Sequence, residues 1–411
     1  AAILIVARGL QGVMGALLVP SSLALIIANF TGSEQGKAIG TWTAWTGISF
    51  IMGPLLGGAL VDFGSWRWVF AINVLPICAT MAVLARIPPE PLRSQRSHVD
   101  LPGAALCALG LGGIIFGLIE GPTHGWRAPA IYLPLAGGVG AFAAFLIYER
   151  RAADPMLDFK LFRNRNFAMG NAATAAIYAG LSAFTFLLVV FLQQVCAYSA
   201  TGAGLALVPV TVLMFVLSPV SGRLAGKYGP RWFMTFGPVI ASLGFLLMLR
   251  MRVHTGTFSE LLTTYVTETL PGLMVFGIGL AGTVSPLTAA ILGDIDQRHA
   301  GIGSAINNAI ARVAGLLAIA ALGAILTARL SATLASADIE ALGPAARAAL
   351  SAAPARPLDT SVPAGGDAPA IKSLLEDASL SALQSGLLAM AGTLALGGLI
   401  SAVGIRNPKR S

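Results

Sequence analysis

Two arginines lie within long apolar runs, where an unpaired guanidinium costs at least about 2.5–3.5 kcal/mol on insertion scales. The first, Arg8, sits in ILIVARGLQGVMGALLVPSSLALI, with Gln11, Gly12 and Gly15 following at i+3, i+4 and i+7. Those positions share one helical face. The second, Arg312, sits in GIGSAINNAIARVAGLLAIAALG, where Gly301, Ser304, Asn308, Arg312 and Gly315 again form one stripe. A cation on a small, polar face suits the wall of a water-filled cavity. There it can hold a polar or anionic group, and it lowers the pKa of any carboxylate that must take up a proton. The plainer readings are that Arg8, with seven residues before it, snorkels to the headgroups, and that Arg312 serves a structural hydrogen-bond network. Covalent chemistry has no candidates. The histidines (98, 124, 254, 299) and the cysteines (78, 107, 196) are isolated, so neither a catalytic constellation, a metal site nor a cofactor site is read.

Two further stretches stand out. In GISFIMGPLLGG, Ser49, Gly53 and Gly57 recur every four residues and make a ridge of small groups; Pro54 and Gly58 accompany them. In lipid, helices associate by close packing rather than by burying apolar surface, and small residues let backbones approach. Pro54 removes a backbone hydrogen bond and bends the helix. The second stretch is SGRLAGKYGPRW (221–232). Gly222, Gly226 and Gly229 permit a tight turn, while Arg223, Lys227 and Arg231 can meet headgroups or the carbonyl ends of helices, whose dipoles favour cations.

Long apolar helices must position these residues. The 411-residue chain is 56% hydrophobic and only 11% charged, with a mean hydropathy of +0.79. So few charges cannot cover a water-facing surface of this size. The chain therefore reads as an all-α polytopic membrane protein. Its net charge of +8 is no nucleic-acid signal. At about 20 residues per span, eleven spans are expected, near 2–28, 38–61, 67–86, 101–120, 129–148, 167–191, 202–220, 232–250, 268–292, 302–327 and 379–404. With residue 1 outside, Lys and Arg on the cytoplasmic side outnumber those opposite two to one, which places the C-terminus inside. Residues 328–378, rich in Ala, Pro, Ser and Gly, read as a flexible external loop whose flanks could be short helices. The first residue is Ala and opens directly in a span, without a signal-peptide pattern. The expectation is that further spans precede it.

These residues resemble the major facilitator superfamily, in particular its 14-span drug:proton antiporter branch. RGLQGVMGALLVPSSLALI is similar to that branch's fourth span, and GTWTAWTGISFIMGPLLGG to its fifth-span antiporter motif, with Ser49 where the family has glycine. GSWRWVFAINVLP resembles the entry to span six. GRLAGKYGPR resembles the superfamily's cytoplasmic loop motif, with Gly226 at its acidic position, and GIGSAINNAIARVAG resembles span thirteen. The resemblance implies eleven of fourteen spans, the first three being absent. Residues 1–90 would then be the remainder of the N-terminal half, 91–165 two extra linker spans, and 166–411 the C-terminal half. It further implies proton-coupled export of small amphipathic or hydrophobic compounds from the bacterial inner membrane, by halves that rock about a central site. Arg8, Gln11, Asn308 and Arg312 would line the pathway. Ser49, Gly53, Pro54, Gly57 and Gly58 would seal the contact between halves, and Gly222, Arg223, Gly229 and Arg231 would form the loop motif. The expected partners are a small-molecule substrate, protons and the lipid bilayer; any periplasmic adaptor is left open. The alternatives are an exporter of one metabolite, such as an antibiotic or siderophore, and a non-transporting membrane scaffold or sensor.

Overall fold

The structure, a computed structural model, describes residues 2–29, 53, 56–86, 100–152, 155–157, 159–253, 257–292, 300–336, 343–362 and 368–407. The chain divides into two units, Ala1–Gly57 and Gly58–Ser411. The described part of the first unit is dominated by helix α1 (Ala2–Asn29). Ser49 and Pro54 lie outside the described residues.

Among the described residues of the second unit, every regular element is a helix. The unit begins with helical residues 58–63 (α2), then α3 (Trp68–Ala71) and α4 (Val74–Leu84). The expected span over 67–86 is thus interrupted. The Asn73 amide takes the carbonyls of Val69 (3.1 Å) and Phe70 (3.4 Å), and Pro76 has no N–H to offer Ile72. A hairpin follows, α5 (Leu101–His124) and α6 (Pro129–Glu149). The rest is a bundle of α7 (Arg165–Gln194), α8 (Ala200–Ala206), α9 (Val208–Tyr228), α10 (Pro230–Leu247), α11 (Phe258–Thr264), α12 (Leu270–Leu292), α13 (Ala300–Ala335), α14 (Pro344–Ala352) and α15 (Ala368–Gly404). Among the described residues, eight helical segments are long and apolar enough to cross a membrane, and they correspond to the last eight expected spans. Two spans carry a break at a proline, which donates no hydrogen bond. Leu207 separates α8 from α9 ahead of Pro209, and a π turn over Tyr265–Thr269 precedes Pro271.

The core sits where α7, α10, α12 and α15 meet. Phe184, Phe245 and Phe276 are almost fully buried there, with ring centroids 4.2–4.9 Å apart. Fully burying such a side chain contributes about 1.5–3 kcal/mol in water, but lipid is as apolar as the core. Packing contacts therefore carry the assembly of these helices. Between α10 and α12 the backbones nearly touch: a Cβ on Gly244 would stand 2.6 Å from the Gly272 carbonyl oxygen.

The segment expected as an external loop is largely helical. α13 continues to Ala335, α15 begins at Ala368, and α14 lies between them. Leu330 and Leu334 of α13, Leu350 of α14, and Ile371, Leu375 and Ala378 of α15 form a second buried cluster. Their i, i+4 spacing gives each helix an apolar stripe to bury, and that contact extends both helices beyond the expected spans. The central stretches 337–342 and 363–367 lie outside the described residues.

Candidate functional site

The α13 stripe is where polar groups gather within the bundle. One face of α13 packs on α7: a Cβ on Gly315 would meet the Ser182 side chain. The opposite face, Ile302, Ala305, Asn308, Ala309, Arg312 and Leu316, is exposed. Asn308 and Arg312 therefore stand one turn apart on an uncovered surface, with Asn308 donating to the Ser304 carbonyl at 3.0 Å. Arg312 has no hydrogen-bond or ion-pair partner among the described residues, and its guanidinium is presented to whatever lies beyond that face. Ser304 sits at the edge of the stripe, half-buried, and Gly315 belongs to the packed side rather than to the open one.

A second polar group went unread in the sequence. Asn307 turns toward α7, where its amide donates to Asn171 Oδ1 (3.1 Å) and to Thr174 Oγ1 (2.8 Å). Asn171 and Thr174 are buried, and each returns a bond to its own helix, to the Phe167 and Gly170 carbonyls at 2.9 Å. Asn307 thus ties α13 to α7 and fixes which way its neighbour Asn308 points.

In α1 the two polar side chains of the stripe meet. Arg8 donates from Nη1 to Gln11 Oε1 at 2.8 Å, and both residues are exposed. The three-residue spacing brings them onto one face, as in any helix.

Of the glycine motif, Gly58 makes the closest approach. A Cβ there would stand 2.7 Å from the Ala200 carbonyl oxygen and 2.8 Å from Thr201 Cα. A Cβ on Gly53 or Gly57 would meet nothing within 4 Å. One turn beyond Gly58, the Asp62 carboxylate accepts the backbone N–H groups of Ala200 (3.1 Å) and Thr201 (2.7 Å). It joins Ser199, whose hydroxyl accepts the Gly202 N–H at 3.0 Å, in satisfying the orphan donors at the start of α8. Asp62 carried no local signal, because its partners are 138 and 139 residues away.

The basic loop motif folds differently from the expected turn. α9 continues to Tyr228, so Gly222 and Gly226 are helical and only Gly229 turns the chain, at φ +91. Gly222 instead admits Ser285 of α12, whose side chain lies where a Cβ would be. Arg231 does cap a helix: its Nε and Nη2 donate to the Ala402 carbonyl of α15 at 3.0 and 2.7 Å. Arg165 does the same for Gly404 and Val403, both at 2.9 Å. Asn407 accepts the Arg231 N–H at 3.1 Å and fills the space beside Gly229. Arg223 is exposed, and Lys227 lies 5.4 Å from the Tyr228 ring centroid.

A recess of about 620 Å³ opens elsewhere, among Arg250, Arg252, Thr267, Glu268, Leu380 and Gln384. None of the stripe residues lines it.

Residues 1–319 match the family model described as Major Facilitator Superfamily. The chain belongs to the major facilitator superfamily. Its similar relatives include the multidrug resistance protein Stp of Mycobacterium tuberculosis, 33% identical over 335 residues, covering 81% of this chain and 60% of that protein. The probable actinorhodin transporter of Streptomyces coelicolor is 34% identical over 325 residues, 77% of this chain and 55% of that protein. The tetracenomycin C resistance and export protein of Streptomyces glaucescens is 28% identical over 355 residues, 85% of this chain and 64% of that protein. The chain thus spans 55–64% of the length of these relatives. As a major facilitator protein it is a polytopic, all-helical membrane protein, and its family is one of transporters rather than enzymes.

Proposed function

We propose that this major facilitator protein exports small amphipathic or hydrophobic compounds from the bacterial cytoplasm in exchange for protons, by alternating access. The observation that carries the reading is the exposed Asn308–Arg312 face of α13. A guanidinium kept uncovered on a membrane helix is costly against lipid and useful in a polar cavity. Arg8 and Gln11 on α1 offer a second face of the same kind. The residues of the pathway are then Arg8, Gln11, Asn308 and Arg312, with Asn307 holding the orientation of the last two.

The contact of Gly58 and Asp62 with α8 suits a seal. It joins the chain ahead of the α5–α6 hairpin to the bundle behind it, on backbone proximity and two hydrogen bonds. If those two parts rock against each other, this contact is made in one state and broken in the other. The positive-inside bias sets it on the external side and the Arg165–Arg231 clasp on the cytoplasmic side, with the C-terminus.

A second reading, export of one particular metabolite, draws on the relatives named for actinorhodin and tetracenomycin C. The two are separated by measuring efflux of a panel of chemically unrelated dyes and antibiotics from cells that overproduce the protein. Movement of several unrelated compounds supports the broad reading. Movement of one alone supports the narrow one, and movement of none sinks both.

A further inference from the structure

The α5–α6 hairpin buries two carboxyl groups that none of the sites above uses. Asp100 caps α5: its Oδ1 accepts the Gly103 N–H at 2.9 Å and the Tyr148 hydroxyl at 3.1 Å. Glu149, the last residue of α6, is only 2% exposed, and its Oε2 accepts the Leu157 N–H at 2.9 Å. Each group has one oxygen left. Asp100 Oδ2 and Glu149 Oε1 are both buried and neither receives a donor. Both crowd the same point, the position a Cβ on Gly103 would occupy. The glycine leaves room for the two oxygens to face each other.

Two ionised carboxylates in that arrangement repel, and each also lacks the hydrogen bonds water would supply. A cation would relieve them, but none is paired with either group among the described residues. The groups that interact with the pair are the Tyr148 hydroxyl, already bound to Asp100, the backbone of the 155–157 connection, and the Cys107 thiol of α5, none of which carries a positive charge. The cation next along the chain, Arg150, is exposed and lies over the Phe159 ring, 5.4 Å from its centroid, rather than on Glu149. One proton between the two oxygens resolves both problems, making one group a donor and the other an acceptor.

We propose that Asp100 and Glu149 form a proton-binding pair, one proton being shared between Asp100 Oδ2 and Glu149 Oε1. The pair clasps both ends of the hairpin, since Asp100 caps the start of α5 and Glu149 holds the connection that leads to α7. Loss of the proton sets two negative charges against each other and loosens that connection. The folded state favours the protonated pair, so the stability it contributes is complete at low pH and is lost as pH rises through the pair's own titration.

The test is infrared spectroscopy and thermal unfolding of the purified chain in detergent. The wild-type protein is expected to show a hydrogen-bonded carboxylic-acid C=O band at pH 7. The band should disappear on alkaline titration, and the melting temperature should fall over the same interval. Glu149→Gln, a neutral mimic of the protonated acid, is expected to fold, to lack the band and to lose that alkaline decline. Asp100→Asn, which can offer its amide to Glu149 Oε1, is expected to lack the band as well. Absence of the wild-type band overturns the proposal, and that measurement stands whether or not a variant folds. A band unchanged in Glu149→Gln also overturns it, as does a wild-type melting temperature that drops on adding EDTA at pH 7, which would place a metal ion between the oxygens instead.

Discussion

Arg312 is the residue on which transport is expected to depend. It stands on the uncovered face of α13 with Asn308 one turn away and no counter-charge among the described residues, so its charge is available to substrate, water or a carboxylate elsewhere. Arg312→Ala is expected to abolish coupled efflux while leaving the amount of membrane-inserted protein near normal. Arg312→Lys should rescue in part, since an ammonium keeps the charge and loses the planar fork. Equal concentrative uptake by wild-type and alanine vesicles would make Arg312 structural. Gly58→Leu is expected to impair efflux more than protein level, because its side chain must displace the Ala200 backbone; dye efflux normalised to membrane protein reads this. Legibility at this scale was uneven. The stripe through Ser304, Asn308 and Arg312 follows from periodicity, but Asn307 lies one residue off it. Nothing local says which of two adjacent asparagines meets a neighbouring helix. Asp62 and the pairing of Asp100 with Glu149 were silent for a related reason: Asp62 and Glu149 meet partners that only the fold brings near, and although Asp100 caps α5 locally at the Gly103 N–H, nothing local points to Glu149.

Helix ends decide much of what holds the bundle together. Arg165 and Arg231 approach the carbonyl end of α15 from two different elements and satisfy carbonyls that no helical N–H reaches. A hydrogen bond from a charged donor contributes about 1.5–3 kcal/mol, with partial exposure favouring the low end. Arg231→Ala should therefore lower stability by about 1–2 kcal/mol, and the double change with Arg165→Ala should depart from additivity because the two share one helix end. Thermal unfolding of the four proteins in detergent measures both. Interhelical hydrogen bonds in membranes average nearer 0.6 kcal/mol, yet Asn307→Ala also strands buried polar groups on Asn171 and Thr174, so about 1 kcal/mol is expected there. A change within error would show water replacing the lost amide. The capping role of Arg231 was legible as a basic residue beside a helix end. The helical state of Gly222 and Gly226 was not, because glycine permits turns without requiring them. The break in the expected 67–86 span arises from Asn73 and Pro76. The lengthening of α13 and α15 arises from a small apolar cluster whose members are far apart in sequence.

At the scale of the whole molecule, composition and spacing were enough to give an all-helical membrane protein; its family was legible only through the resemblance of particular motifs. They were enough because lipid imposes few solutions: every backbone group must be paired within a helix, and each helix must be about 20 residues long. The substrate is not legible in the same way. A cavity that accepts many apolar compounds has few fixed polar groups to leave a spacing pattern, and the polar groups that are visible concern charge and water rather than ligand shape. The central claim, proton-driven export, is tested most directly by placing the purified protein in liposomes, imposing a pH gradient and following accumulation of a fluorescent amphipathic substrate. Proton coupling predicts accumulation against the substrate gradient that starts with the pH gradient, collapses on adding a protonophore and is absent with Arg312→Ala. Accumulation that persists at the same rate after the pH gradient is dissipated would contradict it.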